Sequence, residues 1–284
     1  MTVIGVMGAP GNVGTPLVQD LLARGAQVRV LARRPTQARE VFGVRPGLEY
    51  AELELGRRAT YVAAFRGLER LFVVRPPQIS NVARDMIPAL DVALGAGVTH
   101  MTLLSLQGAD RQPWVPHAKL EVYLRQSGVL WTFLRPSFFL QNLTTTHLPD
   151  LRQGEIFVPA GAGRTSFIDV RDIAEVAALV LTTDGHAGRA YELTGASALT
   201  YAQVAQAFTA AGRSVRYSDP SPLAFYRRLR ARGLPAAQVL VMEAIYAAAR
   251  FGLAAHVSPD AARLLGRPPR TVEGFARDSA HLLS

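Results

Sequence analysis

Apolar residues in the first half of the chain form short runs that alternate with amphipathic stretches. The runs are rich in β-branched residues and nearly continuous in apolar character, which is typical of parallel strands buried on both faces. Strands are predicted at residues 3–7, 27–31, 48–51, 70–74, 100–104 and 130–134. Helices are predicted to begin near Gly14, Pro35, Arg58, Asn81 and Pro116, the fourth running unbroken to Gly95. This rhythm predicts an α/β fold with a doubly wound parallel sheet of the Rossmann type.

The rhythm changes after residue 134. A strand at 155–158, a helix at 172–181 and a strand at 190–193 are followed from Thr200 by mainly helical sequence, with one strand near 214–217. We therefore expect residues 1–135, rejoined by 165–195, to form the Rossmann domain. Residues 136–164 and 196–284 are expected to form a smaller, mainly helical lobe that binds substrate.

Composition narrows the class of protein. With 49% apolar and 19% charged residues the chain can bury a sizeable core, and it contains no cysteine. Its first apolar run stops at glycines, and no run reaches the ~20 residues of a membrane span. We expect a soluble, cytoplasmic protein that does not engage membranes. The six histidines are too dispersed to indicate a metal site.

The net charge of +9 by itself could indicate a nucleic-acid partner. Lys119, however, is the only lysine among 31 basic residues, a skew typical of codon bias, and the arginines are spread along the chain. We interpret the one dense group as a solvated helix face and do not expect nucleic acid to bind. That group comprises Arg227, Arg228, Arg230 and Arg232.

A glycine-rich segment, GAPGNVG at residues 8–14, follows the first strand and opens an apolar helix. Gly8 would turn the chain, Gly11 would let the backbone approach a pyrophosphate, and Gly14 would let the helix pack close to the sheet. The helix N-terminus then faces the phosphates. This context predicts a dinucleotide site, whose loop residues are Gly8, Pro10, Gly11, Asn12, Val13 and Gly14.

The end of the second strand indicates which dinucleotide the loop binds. Sites for NAD(H) place an acidic residue there to hold the ribose 2′-hydroxyl. This chain has Arg33 and Arg34 instead, and its next acid is Glu40. A guanidinium pairs with a 2′-phosphate that a carboxylate would repel. We predict NADP(H), with Arg33 as the main contact and Arg34 in support.

Motifs along nearly the whole chain resemble the NmrA-like family of atypical short-chain dehydrogenases/reductases. Besides the glycine loop and Arg33, they lie at residues 103–105, 127–128, 131–136, 138–139, 142, 166–174, 191–195 and 266–269. The resemblance implies NADP(H) in the Rossmann part and a small molecule beneath a helical lobe. Some members reduce quinones, dyes or phenylpropanoids, whereas others sense the cofactor and regulate transcription partners without turnover.

Ordinary short-chain dehydrogenases carry a Tyr-x-x-x-Lys pair, in which the lysine binds the nicotinamide ribose and lowers the tyrosine pKa. Lys119 falls on the corresponding helix, but Val115 stands where the tyrosine would be. We take Lys119 as a candidate catalytic residue and cofactor contact, with a helix-surface residue as the alternative. Ser105, at the end of the fifth strand, is a second catalytic candidate, or else a hydroxyl that caps the strand.

Other candidates lie around these residues. His117 is a candidate substrate contact or else a helix-start residue, and it lies roughly 200° around the helix from Lys119. Phe138 and Asn142 are candidate substrate residues, or else packing between lobes, while Pro136 and Phe139 are candidate cofactor contacts.

Three functions are compatible with these residues. The sequence favours an NADPH-dependent reductase of a flat carbonyl or quinone-type small molecule, because a quinone accepts hydride without a strong protein acid. The alternative is a non-catalytic NADP(H) sensor that acts through a protein partner, which the absent tyrosine supports. An epimerase or dehydratase shares the fold but usually needs that tyrosine. Whether the chain is an enzyme therefore stays open at this point, with the oxidoreductase preferred.

Overall fold

The strands and helices follow the apolar runs closely. The structure, a computed structural model, describes residues 2–283. Its strands are β1 (Val3–Met7), β2 (Gln27–Ala32), β3 (Leu48–Glu52), β4 (Arg70–Val74), β5 (His100–Leu104), β6 (Leu130–Pro136), β7 (Glu155–Phe157), β8 (Arg164–Thr165), β9 (Arg189–Leu193), β10 (Leu199–Thr200) and β11 (Arg216–Ser218).

The helices occupy segments between these strands and the part of the chain that follows β11. They are α1 (Gly14–Ala23), α2 (Pro35–Phe42), α3 (Tyr61–Phe65), α4 (Val82–Asp85), α5 (Ile87–Gly95), α6 (Pro116–Gln126), α7 (Gln141–Thr144), α8 (Leu148–Arg152), α9 (Val170–Thr182), α10 (Tyr201–Ala210), α11 (Pro222–Ala231), α12 (Ala236–Arg250), α13 (Asp260–Leu265) and α14 (Val272–Ser279). The helix predicted near Arg58 begins as a 3-10 turn, Arg58–Thr60, that leads into α3.

Seven parallel strands form the main sheet in the order β3-β2-β1-β4-β5-β6-β9. The predicted Rossmann-type α/β fold is confirmed. From β1 the chain builds outward to β3 and then crosses to β4 on the other side of β1. Ligands of such sheets bind where the strand order reverses, outside the carboxyl ends of the strands. In this sheet that point lies between β1 and β4.

One compact unit comprises residues 2–136 and 170–193. Leu71 and Val73 of β4 belong to its buried core on the side of α5 and α6, together with Leu90 and Leu124. Helix α9 packs against α1 and contacts β4, β5 and β6. The sheet is thereby covered by helices, and its strands are apolar for that reason.

The second unit comprises residues 137–169 and 194–283. Its core is aromatic at the centre, where Phe138, Phe167, Tyr201 and Tyr246 contact one another. Strand β11 pairs in parallel with β7, and β10 pairs antiparallel with β8. Buried side chains of α7, α8, α10 to α12 and α14 contribute to this core.

The prediction of one unbroken helix from Asn81 to Gly95 is wrong, because the helix is interrupted at Met86 and forms α4 and α5. The reason is Pro88, which has no N–H to donate to the carbonyl of Arg84 and whose ring would collide with that carbonyl in a continuous helix. The chain therefore starts a new helix at Ile87, with Pro88 in its first turn, where no N–H is needed.

Candidate active site

The loop of residues 8–14 is built around the carbonyl of Gly8. Gly8 adopts a φ of +78°, which favours glycine. A Cβ on Gly11 or Gly14 would collide with the Gly8 carbonyl oxygen. The spacing of the glycines thus has a reason inside the loop, besides the close approach to a pyrophosphate that the sequence predicted for Gly11.

The start of α1 carries no capping or acidic side chain, although the Thr15 N–H already donates to the Gly11 carbonyl at 2.9 Å and Pro16 has no N–H. Val13, at the N-cap, provides no side-chain cap, and the first turn contains no acidic residue. Pro10 and Asn12 are exposed, whereas Val13 is buried. An uncapped helix start beside a glycine-rich turn is a suitable site for a phosphate group.

Arg33 and Arg34 directly follow β2, and both side chains are exposed. Within residues 2–283, neither forms an ion pair. The acids at the end of the neighbouring strand β3 are held elsewhere: Arg57 Nη1 lies 2.8 Å from Glu52 Oε1 and 3.3 Å from Glu54 Oε2. The end of β2 is therefore a positive edge with its carboxylates already neutralised.

A pair that the sequence reasoning missed lies at the end of β4. Arg75 follows β4, and Val74 beside it lies against Gly8 of the glycine loop. The Nη1 of Arg75 donates to the carbonyls of Pro76, Pro77 and Ile79, and its Nε donates to Nε2 of His117 at 3.4 Å. Arg75 contacts no carboxylate among the described residues.

Burial, followed by the positive charge of Arg75, lowers the pKa of His117 to about 4. His117 is also the second residue of α6, where the helix dipole disfavours a positive charge. Its imidazole is therefore neutral at neutral pH. Among the candidate catalytic and substrate residues, the structure brings His117 to the β1/β4 edge, in contact with Arg75.

A buried network fixes the same face of α6. Glu121, one turn after His117 and 1% exposed, accepts hydrogen bonds from Ser105 Oγ at 2.7 Å and from Arg135 Nε and Nη2 at 2.9 and 2.7 Å. Ser105 thus lies at the end of β5, as the sequence predicted, and its hydroxyl donates a hydrogen bond to the Glu121 carboxylate. Its contact with a ligand remains a prediction.

Lys119 points away from this network. Its side chain is exposed, in keeping with the rotation that separates it from His117 on the helix. Within residues 2–283, its ammonium group has no hydrogen-bond partner. The role of Lys119 as a catalytic or ribose contact remains a prediction.

In the second unit, Phe138 and Asn142 line the same cavity of about 130 Å³. Other residues of this lining include His147, Met242, Ile245 and Tyr246. Phe139 instead bridges to Ile168 through its backbone, and Pro136 is the buried last residue of β6. Two of the three candidate substrate residues, Phe138 and Asn142, therefore lie close together in an aromatic cavity, and His117 is not part of its lining.

On sequence alone, the group of Arg227, Arg228, Arg230 and Arg232 is interpreted as a solvated helix face. That interpretation is wrong for Arg228 and Arg232, which form ion pairs inside the second unit. Arg228 pairs with Asp150 at 3.0 Å and with Glu155 at 2.6 Å, and Arg232 pairs with Asp150 at 2.6 Å. Asp150 is 1% exposed, so its charge needs these partners. Two of the four arginines therefore serve the internal structure of the second unit.

The described residues contain neither a group suited to a metal ion nor a helix suited to a membrane. In residues 2–283, no cluster of three or more histidine, aspartate or glutamate side chains is arranged to hold a metal ion. In the same part of the chain, no helix combines the length and apolar character required to cross a bilayer.

The chain is similar over nearly its whole length to several known reductases. An NAD(P)H azoreductase of Xenophilus azovorans is 33% identical over 282 residues, covering 97% of each chain. A (4-alkanoyl-5-oxo-2,5-dihydrofuran-3-yl)methyl phosphate reductase of Streptomyces griseus is 34% identical over 289 residues, again 97% of each. The crystal structure of an NADPH-dependent quinone oxidoreductase of Escherichia coli with NADPH superposes with a TM-score of 0.86 at 26% identity, covering 99% of this chain and 100% of that one. A model of the NmrA-like family matches residues 1–276, and this chain belongs to that family.

Proposed function

We propose that this protein is an NADPH-dependent reductase of a flat carbonyl or quinone-type small molecule. The observation that carries the proposal is the carboxyl end of β1 and β2: an uncapped helix start and a glycine turn follow β1, and two exposed arginines that form no ion pair within residues 2–283 follow the neighbouring β2. The azoreductase and quinone oxidoreductase relatives support the reaction class, because both are reductases that use NAD(P)H or NADPH.

The residues present fit the dinucleotide. The pyrophosphate would lie over residues 8–14 against the start of α1, and the 2′-phosphate would be held by Arg33 with Arg34 beside it. The proposed preference for NADP(H) over NAD(H) follows from the missing carboxylate at the end of β2. When bound, the nicotinamide supplies the hydride.

The aromatic cavity of the second unit supports a flat substrate. Phe138 and Tyr246 contribute aromatic rings to its lining, and Asn142 adds an amide that can orient a polar group. We therefore propose that residues 137–169 and 194–283 form the substrate lobe, with Phe138 and Asn142 as contacts. Pro136 and Phe139 remain proposed cofactor contacts.

The proposal is tested by steady-state NADPH oxidation against a panel of quinones, with binding of NADPH and NADP⁺ measured by calorimetry. We expect turnover that depends on the protein and a preference for NADPH over NADH. Binding of NADPH without oxidation above the protein-free control would exclude the reductase. A large difference between NADPH and NADP⁺ affinities in such a case would favour the sensor, because only a discriminating protein can report redox state.

A further inference from the structure

The further inference concerns the group that faces the reducible bond in a chain without the usual tyrosine, and it rests on the proposed function. We propose that Arg75 holds His117 as a neutral imidazole with its proton on Nδ1, and that this N–H donates a hydrogen bond to the acceptor atom of the substrate's reducible bond. His117 is then the catalytic residue and Arg75 a positioning residue.

The contact between the two side chains determines where the imidazole carries its proton. A guanidinium has only donors, so the nitrogen that receives the Arg75 Nε–H must present a lone pair. That nitrogen is Nε2. A neutral imidazole then carries its single proton on Nδ1. Among residues 2–283, no acceptor binds this Nδ1–H. The His117 side chain is also partly exposed, so a ligand can reach it.

The positive charges around His117 keep its imidazole neutral. The Arg75 cation and the start of α6 both oppose protonation of His117, and burial acts in the same direction. The nearest carboxylate on the same helix face, Glu121, is already occupied by Arg135, Ser105 and Arg125. The ring is thus a fixed neutral donor, as an electrophilic group at a reducible bond requires.

The position of His117 in the sheet supports its role as a hydrogen-bond donor to the substrate. Arg75 and Val74 close the end of β4, and Val74 lies against the Gly8 turn of the cofactor loop. His117 therefore lies at the edge where the strand order reverses, the expected ligand position of the sheet. The anchoring of Glu121 by Ser105 and Arg135 one turn later holds α6 in the rotation that presents His117 there.

The chemistry balances without proton transfer from the histidine. Bound NADPH would supply the hydride: its C4–H bond would break to leave NADP⁺ as the hydrogen bonds to one atom of the reducible bond, and the π electron pair would move to the acceptor atom, where negative charge develops. The Nδ1–H of His117 stabilises that charge by a hydrogen bond. Full loss of the His117 proton would leave an imidazolate, which is strongly basic, so water supplies the proton that completes the reduction, and the hydroxide that remains is neutralised by the buffer.

The tautomer is tested first, without any turnover. Histidine side chains of the ¹⁵N-labelled protein are observed by NMR, and His117 is assigned by the signal lost in His117→Asn. We expect a protonated Nδ1 and a bare Nε2 that persist to about pH 5. In Arg75→Met the two tautomers should mix and the titration should move toward the ordinary range. Arg66→Met, an exposed arginine at the opposite end of β4, is the matched control. A proton on Nε2 in the wild type would overturn the proposal.

Kinetics then test the role. His117→Phe should lower kcat by about 10²-fold, a typical contribution of one positioned donor, and leave NADPH affinity nearly unchanged. His117→Asn, whose amide N–H falls near the position of Nδ1, should recover part of the loss. Full activity of the phenylalanine variant would overturn the proposal.

A failure of the proposed function would be recognised separately, because the wild type itself would then not turn over. In that case the NADP⁺-bound protein is titrated with a naphthoquinone, and the ¹H signal of the His117 Nδ1–H is followed. A downfield shift supports the hydrogen bond to the acceptor, and an unchanged signal overturns it.

Discussion

At the residue scale, the proposed preference for NADPH over NADH depends on Arg33 and Arg34 at the end of β2. Arg33→Asp removes a charged hydrogen bond and adds a repulsion toward a 2′-phosphate. A hydrogen bond to a charged group contributes about 1.5–3 kcal/mol, so we expect NADPH affinity to fall by roughly 10- to 100-fold or more. NADH affinity should be spared. Calorimetric titration with both cofactors measures the ratio.

The control for this substitution is Arg45→Asp, which makes the same change of charge. Arg45 is exposed and precedes β3, so it lies near the amino ends of the parallel strands, whereas Arg33 lies at their carboxyl ends. Its NADPH affinity should stay close to that of the wild type. An unchanged NADPH-to-NADH ratio in Arg33→Asp would remove Arg33 from the site.

Lys119 is the second residue whose role one substitution decides. If its ammonium contacts the ribose of the bound cofactor, Lys119→Ala should raise the KM for NADPH several-fold and leave the fold intact, because the side chain is exposed. Steady-state kinetics and circular dichroism measure both effects. Kinetic constants equal to those of the wild type would make Lys119 a surface residue.

At the scale of elements, α6 is fastened to the sheet by one buried carboxylate. Glu121→Gln keeps the shape of the side chain but leaves the buried Arg135 short of its main counter-charge. Loss of one partner of a buried pair typically costs about 3–5 kcal/mol. We expect a decrease of that order in the free energy of unfolding in urea, together with lower kcat because His117 lies on the same helix.

A matched substitution separates this effect from the loss of any ion pair. Glu49→Gln removes the partner of Arg29, but the Glu49 side chain is 58% exposed. Exposed pairs contribute roughly 0–1 kcal/mol, so its urea midpoint should hardly move. Equal destabilisation by the two changes would contradict the assigned role of Glu121.

The sequence predicted those parts of the site that are contiguous along the chain. Residues 8–14 and Arg33 can be predicted as cofactor contacts because a strand, a turn and a helix start follow one another directly. Arg75 and His117 are 42 residues apart and meet only through the register of β4 beside its neighbours. In a chain so rich in arginine, Arg75 carries no local signal of its own. Pro88 was a visible signal for the break between α4 and α5 that the periodicity of the apolar residues outweighed.

The same reasoning applies to the second unit. The pairing of Asp150 with Arg228 spans 78 residues, so the sequence showed only a run of positive charge. The i, i+4 spacing of His117 and Glu121 is a signal that could have identified the face of α6 that meets the sheet. Sequence patterns thus determine elements well, and long-range side-chain pairs depend on how those elements are assembled.

For the molecule as a whole, stability should fall as the solution becomes mildly acidic. His100, His117 and His147 each have a pKa lowered to about 4, chiefly by burial. In the unfolded chain they titrate near the ordinary value of about 6.5. Between these two values the unfolded state takes up protons that the folded state does not. The free energy of unfolding therefore decreases as pH falls from about 6.5 to 4, by up to about 1.4 kcal/mol per pH unit for each histidine.

Urea denaturation at intervals between pH 7 and 4.5 measures this slope. His147→Phe should reduce the slope by about one proton while also destabilising the protein at pH 7, because the hydroxyl of Tyr246 loses its partner. The slope, and not the midpoint, is the informative quantity. Wild type and variant with parallel slopes would show that His147 does not titrate as its burial demands.

The return of the chain to the sheet through α9 and β9 also constrains how the protein is made. β9 pairs with β6, and α9 packs on α1, so the first unit lacks a strand and a helix until residue 193 has been synthesised. Until then β6 is an open edge, and such edges pair readily with other chains. Residues 137–169 must leave the ribosome before the sheet is complete. A ribosome pausing within that stretch would hold an unfinished sheet, and shortening the gene at codon 136 would yield an aggregating fragment.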